Sequence, residues 1–437
     1  MTFRSRPILA SLLLLFVPTT FAFVPSVVST RRLPFQPLHT QIKSTEYDRV
    51  QDIRSMSVSE IKKELSTLNV SFMDLFEKEG LVKRLDEARR RPAQPQPDIK
   101  IKTTKTPTSG MPSNVLQVPL YFTSLDSDVR IAAVNLKDVG GGITIQPGEQ
   151  PYPTIQIEVP NPSQPTESFT LTLLLDTACS GFVLRPEVVQ RHKLPSYSTP
   201  VTMIGAGGVS GKTGLTQLDT FTLGDASFGP LPAAVQDIGA LPSKLDGIIG
   251  LSFFSQFVGI EMDFCKGVVS FYRDSLPLQD SSRTVLAQAD MELVPRLGIY
   301  TCQVSLGGRG PVNMLVDTGA SSTFLNWKGI EQLGLERTSP ALSRIRVDTG
   351  AMGSDNMAIE LTHRIGVSST LNLGRSSGYP GLSLQDAARL QIDIGQIPIL
   401  DSLKDQGVGG ILGIDALMRC ATVRMTFKGR KSLTLFN

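Results

Sequence analysis

Histidine is scarce in this chain of 437 residues: His39, His192 and His363 are the three. None stands at H-E-x-x-H or other ligand spacing, so neither a metal site nor another cofactor is expected. Cysteine is nearly as sparse. Cys179, Cys265, Cys302 and Cys420 lack any C-x-x-C spacing, which argues against a zinc ribbon or a dithiol redox centre and leaves them as small packing residues. An excess of one charge is missing too. With 43 Lys and Arg against 40 Asp and Glu, the net charge of +3 gives no global footprint of a nucleic-acid or acidic partner. The apolar run Ile8 to Val17 covers ten residues, about half of what a membrane-spanning helix needs.

What is present begins with that run. Arg4 and Arg6 precede it and the small residues Thr19 to Ala22 follow it, the layout of a secretory signal peptide. Residues 1–45 contain no acidic residue, while Arg31, Arg32 and Lys43 continue the positive charge among Ser and Thr, as organelle transit peptides do. The junction "FAFVPS", Phe21 to Ser26, resembles the Ala-Phe-Ala-Pro-type junction in plastid presequences of algae with secondary plastids. That resemblance implies entry through the secretory pathway and import into the plastid; simple secretion is the alternative.

Residues 46–91 change character. Ile61, Leu65 and Leu68 recur at helical spacing behind a candidate capping box, Ser57 and Glu60, and Leu81, Leu85 and Ala88 repeat the period after a break. Two short helices are predicted. The stretch Ser57 to Arg89 resembles SAP-like helix-turn-helix modules, whose relatives bind nucleic acid or proteins. Ten acidic residues balance ten basic ones between Glu46 and Arg91, so the stretch reads as a solvated module or as one that docks a protein partner, and nucleic acid is not expected. Residues 92–114, rich in Pro, Thr and Lys, read as a disordered linker.

Beyond the linker the texture is β throughout, with short Val, Ile, Leu and Thr runs cut by Gly, Pro, Asn and Asp. Residues 115–153 form a lead-in whose role the sequence leaves open. Then one order of parts occurs twice. In residues 154–273, a strand leads to "LTLLLDTACSGFVL", a glycine-rich "MIGAGGVSG", and "GIIG" at Gly247 to Gly250. In residues 300–437, after a connector over 274–299, a strand leads to "VNMLVDTGASSTFL", then "RIRVDTGAMGSDN", and "GILG" at Gly410 to Gly413. Asp176 and Asp317 are counterparts, 141 residues apart. A third Asp-Thr-Gly, at Asp348, falls where the first copy has its glycine-rich hairpin, and Arg346 interrupts the apolar run before it. The repeat therefore assigns Asp348 to a flap.

These parts resemble the retropepsin-like aspartic proteases, the single-lobe family of retroviral proteases and their cellular relatives. The resemblance implies a mainly β fold of two retropepsin-like lobes about a pseudo-two-fold axis, preceded by the small helical module. It implies an aspartic endopeptidase with Asp176 and Asp317 as the catalytic pair, supported by Thr177, Thr318, Ala178 and Gly319. The flaps, with Gly205, Gly207 and Gly208 in one and Gly350 and Gly353 in the other, would close over an extended peptide or protein substrate. Because one chain encodes both lobes, a monomer is expected. Two like charges at about 3 Å cannot both ionise, so such a pair holds one proton between them and supplies a base and an acid at once. Ala178 departs from the usual Gly of the first loop. An insertion in the second copy, Asn372 to Gln391, carries a predicted helical stretch over Ser383 to Leu390, and either lines the cleft or decorates the surface. The alternatives are an inactive peptide- or protein-binding module of the same fold and a nucleic-acid-associated protein led by the SAP-like module.

Overall fold

The computed structural model describes residues 15–17, parts of 53–64, 78–90, 102–103, 114–123 and, with short gaps, 152–437. The chain forms two units, one over Pro18–Asp98 and one comprising Met1–Val17 with Ile99–Asn437. In the smaller unit the capping box is present: Ser57 N donates to Glu60 Oε2 at 2.7 Å and Glu60 N donates to Ser57 Oγ at 3.2 Å. Hydrogen bonding to the carboxylate from the Ser57 backbone and side chain holds Glu60 below its ordinary range. The helix Lys78–Arg90 turns Leu81, Val82 and Leu85 onto Ile53 and Ile61, a core of one aliphatic layer. Arg89 closes it with two bonds to Glu64, at 2.7 and 2.8 Å. Leu65 and Leu68 and the proposed junction Phe21 to Ser26 lie outside the described residues.

The larger unit is mainly β and holds two lobes built to one plan. In the first, Gln164–Leu175 lies parallel to Gly247–Ile249, which is antiparallel to Phe182–Leu184, which is parallel to Leu231–Val235. In the second, Arg309–Val316, Val408–Leu412, Phe324–Leu325 and Leu390–Gln396 repeat that order and those directions. The continuous apolar run before Asp176 follows from burial on both faces. Leu171, Leu173 and Leu175 enter the main core, while Leu174 joins Val183, Ile248, Cys179 and Tyr152 on the other side. Phe253, just after "GIIG", packs at 5.2 to 6.3 Å centroid distance against five phenyl rings, those of Phe221, Phe228, Phe254, Phe257 and Phe271. Removing such a ring costs about 3–5 kcal/mol.

A six-stranded antiparallel sheet joins the lobes. Its order is Val115–Pro119, Val268–Tyr272, Gly259–Asp263, Thr422–Thr426, Ser432–Phe436 and Val285–Val294. The lead-in therefore supplies its outermost strand, and the connector the strand at its other end, which continues into Ile299–Leu306 through Met291 to Val294. The central pairing is symmetric about Glu261 and Arg424, with Gly259 opposite Thr426 and Asp263 opposite Thr422. The pseudo-two-fold axis passes there.

Three differences from the sequence reading stand out. Lys102–Thr103, within the predicted linker, pairs with Ala226 and Ser227. Leu15–Val17, within the predicted signal peptide, pairs with Thr202–Ile204. The insertion is bounded by strands at the ends of its predicted helix: Leu382–Ser383 pairs with Thr370–Leu373, and Leu390–Gln396 belongs to the lobe's main sheet. Residues 385–389 lie outside the described residues. Thr370–Leu373 in turn joins Ile299–Leu306 at Val304 to Leu306, so this part of the insertion widens a sheet edge.

Candidate active site

Each aspartate stands at the end of a buried strand, where the chain turns sharply. Asp176 N donates to Ile249 O at 3.1 Å, and Asp317 N to Leu412 O at 3.0 Å, so the apolar-apolar-Gly segments pin both loops from behind. Their glycines are required by that approach. A Cβ on Gly250 would stand 2.1 Å from Cys179 O, and one on Gly413 2.4 Å from Ser322 O. The twice-repeated "GIIG" and "GILG" thus reflect backbone packed directly on backbone.

The loops meet across the axis through their threonines. Thr177 N donates to Thr318 Oγ1 and Thr318 N to Thr177 Oγ1, both at 3.1 Å. The hydroxyls complete the exchange, Thr177 Oγ1 donating to Val316 O at 2.8 Å and Thr318 Oγ1 to Leu175 O at 2.7 Å. Four buried bonds, two in each direction, tie the lobes together at the dyad. Threonine suits the task because its hydroxyl donates and accepts at once.

The carboxylates are oriented alike. Asp176 Oδ1 accepts from Ala178 N at 2.8 Å and Cys179 N at 2.9 Å, and Asp317 Oδ1 accepts from Ala320 N at 2.9 Å. Both side chains are fully buried, and the Oδ2 atom of each is buried without a hydrogen-bond partner. An unsatisfied buried oxygen costs about 1–3 kcal/mol, more if it is charged. Burial pushes both acids upward, Asp317 to about 7, and for Asp176 the neighbouring Asp317 charge adds to burial. The backbone donors at Oδ1 counteract this in part. The pair is one titrating unit in which a proton is retained well above the ordinary carboxylate range. Gly319 packs against this unit, since a Cβ there would fall 2.5 Å from Asp176 Cγ. Ala178, its counterpart, is fully buried.

The first flap is the hairpin of Ser196–Ile204 with Ser210–Leu218. At its tip Gly208 N donates to Gly205 O at 2.9 Å, with Gly208 at φ +77°. The tip rests on the second lobe: Ile399 N donates to Ala206 O at 3.3 Å, and the position of a Gly208 Cβ is 2.8 Å from Pro398 Cβ. In the second lobe, Leu342–Arg344 and Ala351–Met352 pair with Ala358–Val367, forming the corresponding hairpin. Asp348, Gly350 and Gly353, like Gly207, lie outside the described residues.

Sequence reasoning missed two supports. The helix Pro398–Ser402, on which the first flap rests, has no counterpart motif in the first copy. Asp415 is half-buried behind the second loop and accepts from Thr323 Oγ1 at 2.7 Å, while Gly413 N donates to Thr323 Oγ1 at 3.1 Å. Burial pushes Asp415 up to about 6. The available signal was an acid two residues after "GILG", where the first copy has Ser252. Of the cysteines, Cys179, Cys302 and Cys420 are buried and Cys265 is exposed, all four free.

Residues 167–253 and 302–416 match the aspartyl protease family model. Among curated proteins, none matches this sequence. Solved structures similar to it include basic 7S globulin from soybean, at 11% identity over 74% of this chain and 95% of that one, with a TM-score of 0.37. A retropepsin-like aspartic protease from Rickettsia conorii is similar at 20% identity over 28% of this chain and 81% of that one, with a TM-score of 0.19. The two matched segments fall one in each lobe, and each contains that lobe's aspartate.

Proposed function

We propose that the protein is an aspartic endopeptidase in which Asp176 and Asp317 activate water between them. The observation that carries this reading is the pair itself: two buried carboxylates, each with one oxygen bound by backbone donors and one left without a partner. In the half-protonated pair, the ionised carboxylate takes a proton from water as its oxygen attacks the peptide carbonyl carbon. The protonated one gives its proton to the carbonyl oxygen. As the resulting diol collapses, the carboxyl that took the water proton gives it to the amide nitrogen, the C–N bond breaks, and the ionised carboxylate accepts a proton from a diol hydroxyl, which restores the half-protonated pair and releases a carboxylic acid and an amine. The backbone donors at Oδ1 hold the reacting oxygens in place without further rearrangement. Both carboxylates are buried, so a peptide enters when the first flap lifts from Pro398 and Ile399.

The test is incubation of the full chain with a diverse peptide pool across pH, with cuts read by mass spectrometry. Asp176→Asn and Asp317→Asn should each lower hydrolysis by several orders of magnitude while the chain stays folded. Asp348→Asn, assigned to a flap, should change turnover by about tenfold or less. A folded chain that cuts nothing at any pH supports the inactive peptide-binding alternative. Equal loss in Asp348→Asn and Asp317→Asn would overturn the assignment of the dyad.

A further inference from the structure

The outer face of the six-stranded sheet carries a polar row across all six strands. In register it reads Gln117, Ser270, Glu261, Arg424, Thr434 and Gln288. The halves mirror each other about the axis. Gln117 Nε2 donates to Ser270 Oγ at 3.1 Å, and Gln288 Nε2 donates to Thr434 Oγ1 at 3.1 Å. At the centre Arg424 Nε donates to Glu261 Oε2 at 2.7 Å, and Arg283, from the connector, donates to Oε1 at 3.0 Å. Two guanidiniums thus share one carboxylate whose oxygens are both taken. Arg283 Nη2 is buried without a hydrogen-bond partner.

The mirror relation fails beside Arg424. There a groove of about 150 Å³ opens on the second lobe's side, with Phe436, Tyr379 and Pro277 among its walls and Ser432 and Thr434 in its lining. The guanidinium carbons of Arg283 and Arg424 lie 4.4 and 4.8 Å from the centroid of the Phe436 ring, so the excess positive charge borders the groove. Tyr379 is 38% exposed and its hydroxyl donates to Gln288 Oε1 at 3.0 Å, holding the phenol at the rim. An uncompensated cation in a partly desolvated site attracts an anion more strongly than it would in water. The aromatic and proline walls favour an anion that carries hydrocarbon over a strongly hydrated inorganic one.

We propose that this groove binds an organic carboxylate borne on an aromatic or aliphatic group, outside the cleft and independently of any hydrolysis there. A free acid and the C-terminal residue of a peptide share that chemistry. Calorimetric titration of the full chain with phenylacetate, and with an acetylated Gly-Gly-Phe peptide with a free terminal carboxylate, tests both sources. Heat from phenylacetate supports a free acid as ligand, heat from the peptide alone supports a chain terminus, and benzylamine should give none. Arg283→Met keeps the Glu261–Arg424 pair and should weaken binding about tenfold. Tyr379→Ala, at the exposed rim, should weaken it as well, and decides the matter if Arg283→Met does not fold. No binding of either carboxylate up to about 10 mM, or unchanged binding in the folded variants, overturns the proposal.

Discussion

Gly319 and Ala178 occupy equivalent places in the two aspartate loops, yet they are not exchangeable. A side chain on Gly319 would run into the Asp176 carboxyl carbon at 2.5 Å, and Asp176 is held from its other side by the Ala178 and Cys179 amides. Gly319→Ala is therefore expected to displace Asp176 and lower kcat by about 100-fold or more, since a shift of about 1 Å in a catalytic group has that effect. Ala178→Gly adds no atom and should stay within about tenfold; steady-state kinetics on both variants separates them. The dyad also has a signature in stability. Its acids are raised in the folded state, Asp317 from an ordinary 3.8 to about 7, so the folded chain binds more protons than the unfolded one between those values. The stabilisation is complete below pH 4 and is lost as pH rises through about 7. Thermal unfolding of the wild type should shift to lower temperature from pH 5 to pH 7 relative to Asp317→Asn, and parallel pH profiles for the two proteins would refute this reading of the pair.

At the scale of elements, the parts legible in the sequence were those with a local signature. The aspartate loops, the apolar-apolar-Gly segments, the flap hairpins and the Ser57–Glu60 box announce themselves through residue type and spacing, and the internal repeat paired Asp176 with Asp317. The six-stranded sheet was not legible. Its strands come from residues 115–119, 259–272, 285–294 and 422–436, and nothing in "VLQVP" specifies a partner 150 residues away at Val268–Tyr272. The helix reading of Ser383 to Leu390 failed at its ends because short apolar runs fit both periods, and sheet pairing decided for strand. The contact between the first flap and Pro398–Ser402 was equally hidden, because it joins elements that share no motif. It is testable. In Gly208→Ala the new methyl group meets Pro398 at 2.8 Å and the backbone is strained at φ +77°. Amide exchange around Ile204 to Ala206 and at Ile399 should quicken in this variant while the Thr177–Thr318 exchange stays protected; unchanged exchange at Ile399 would show that the tip is not seated there.

The whole larger unit is one body by construction, since the sheet of six strands draws three strands from each side of the axis. In sedimentation, proteolytic activity of the full chain should follow the monomer at every concentration, and activity confined to a dimer would contradict this. The axis carries a further consequence. Where two identical halves meet about a two-fold, a residue on the axis faces its own copy, and here the facing residues are Glu261 and Arg424, joined at 2.7 Å in a buried setting. Two first lobes set together in this manner would oppose glutamate to glutamate, and two second lobes arginine to arginine, each a like-charge contact with little water to screen it. The division of opposite charges between the halves makes each repeat complementary to the other and repellent to itself at this one position.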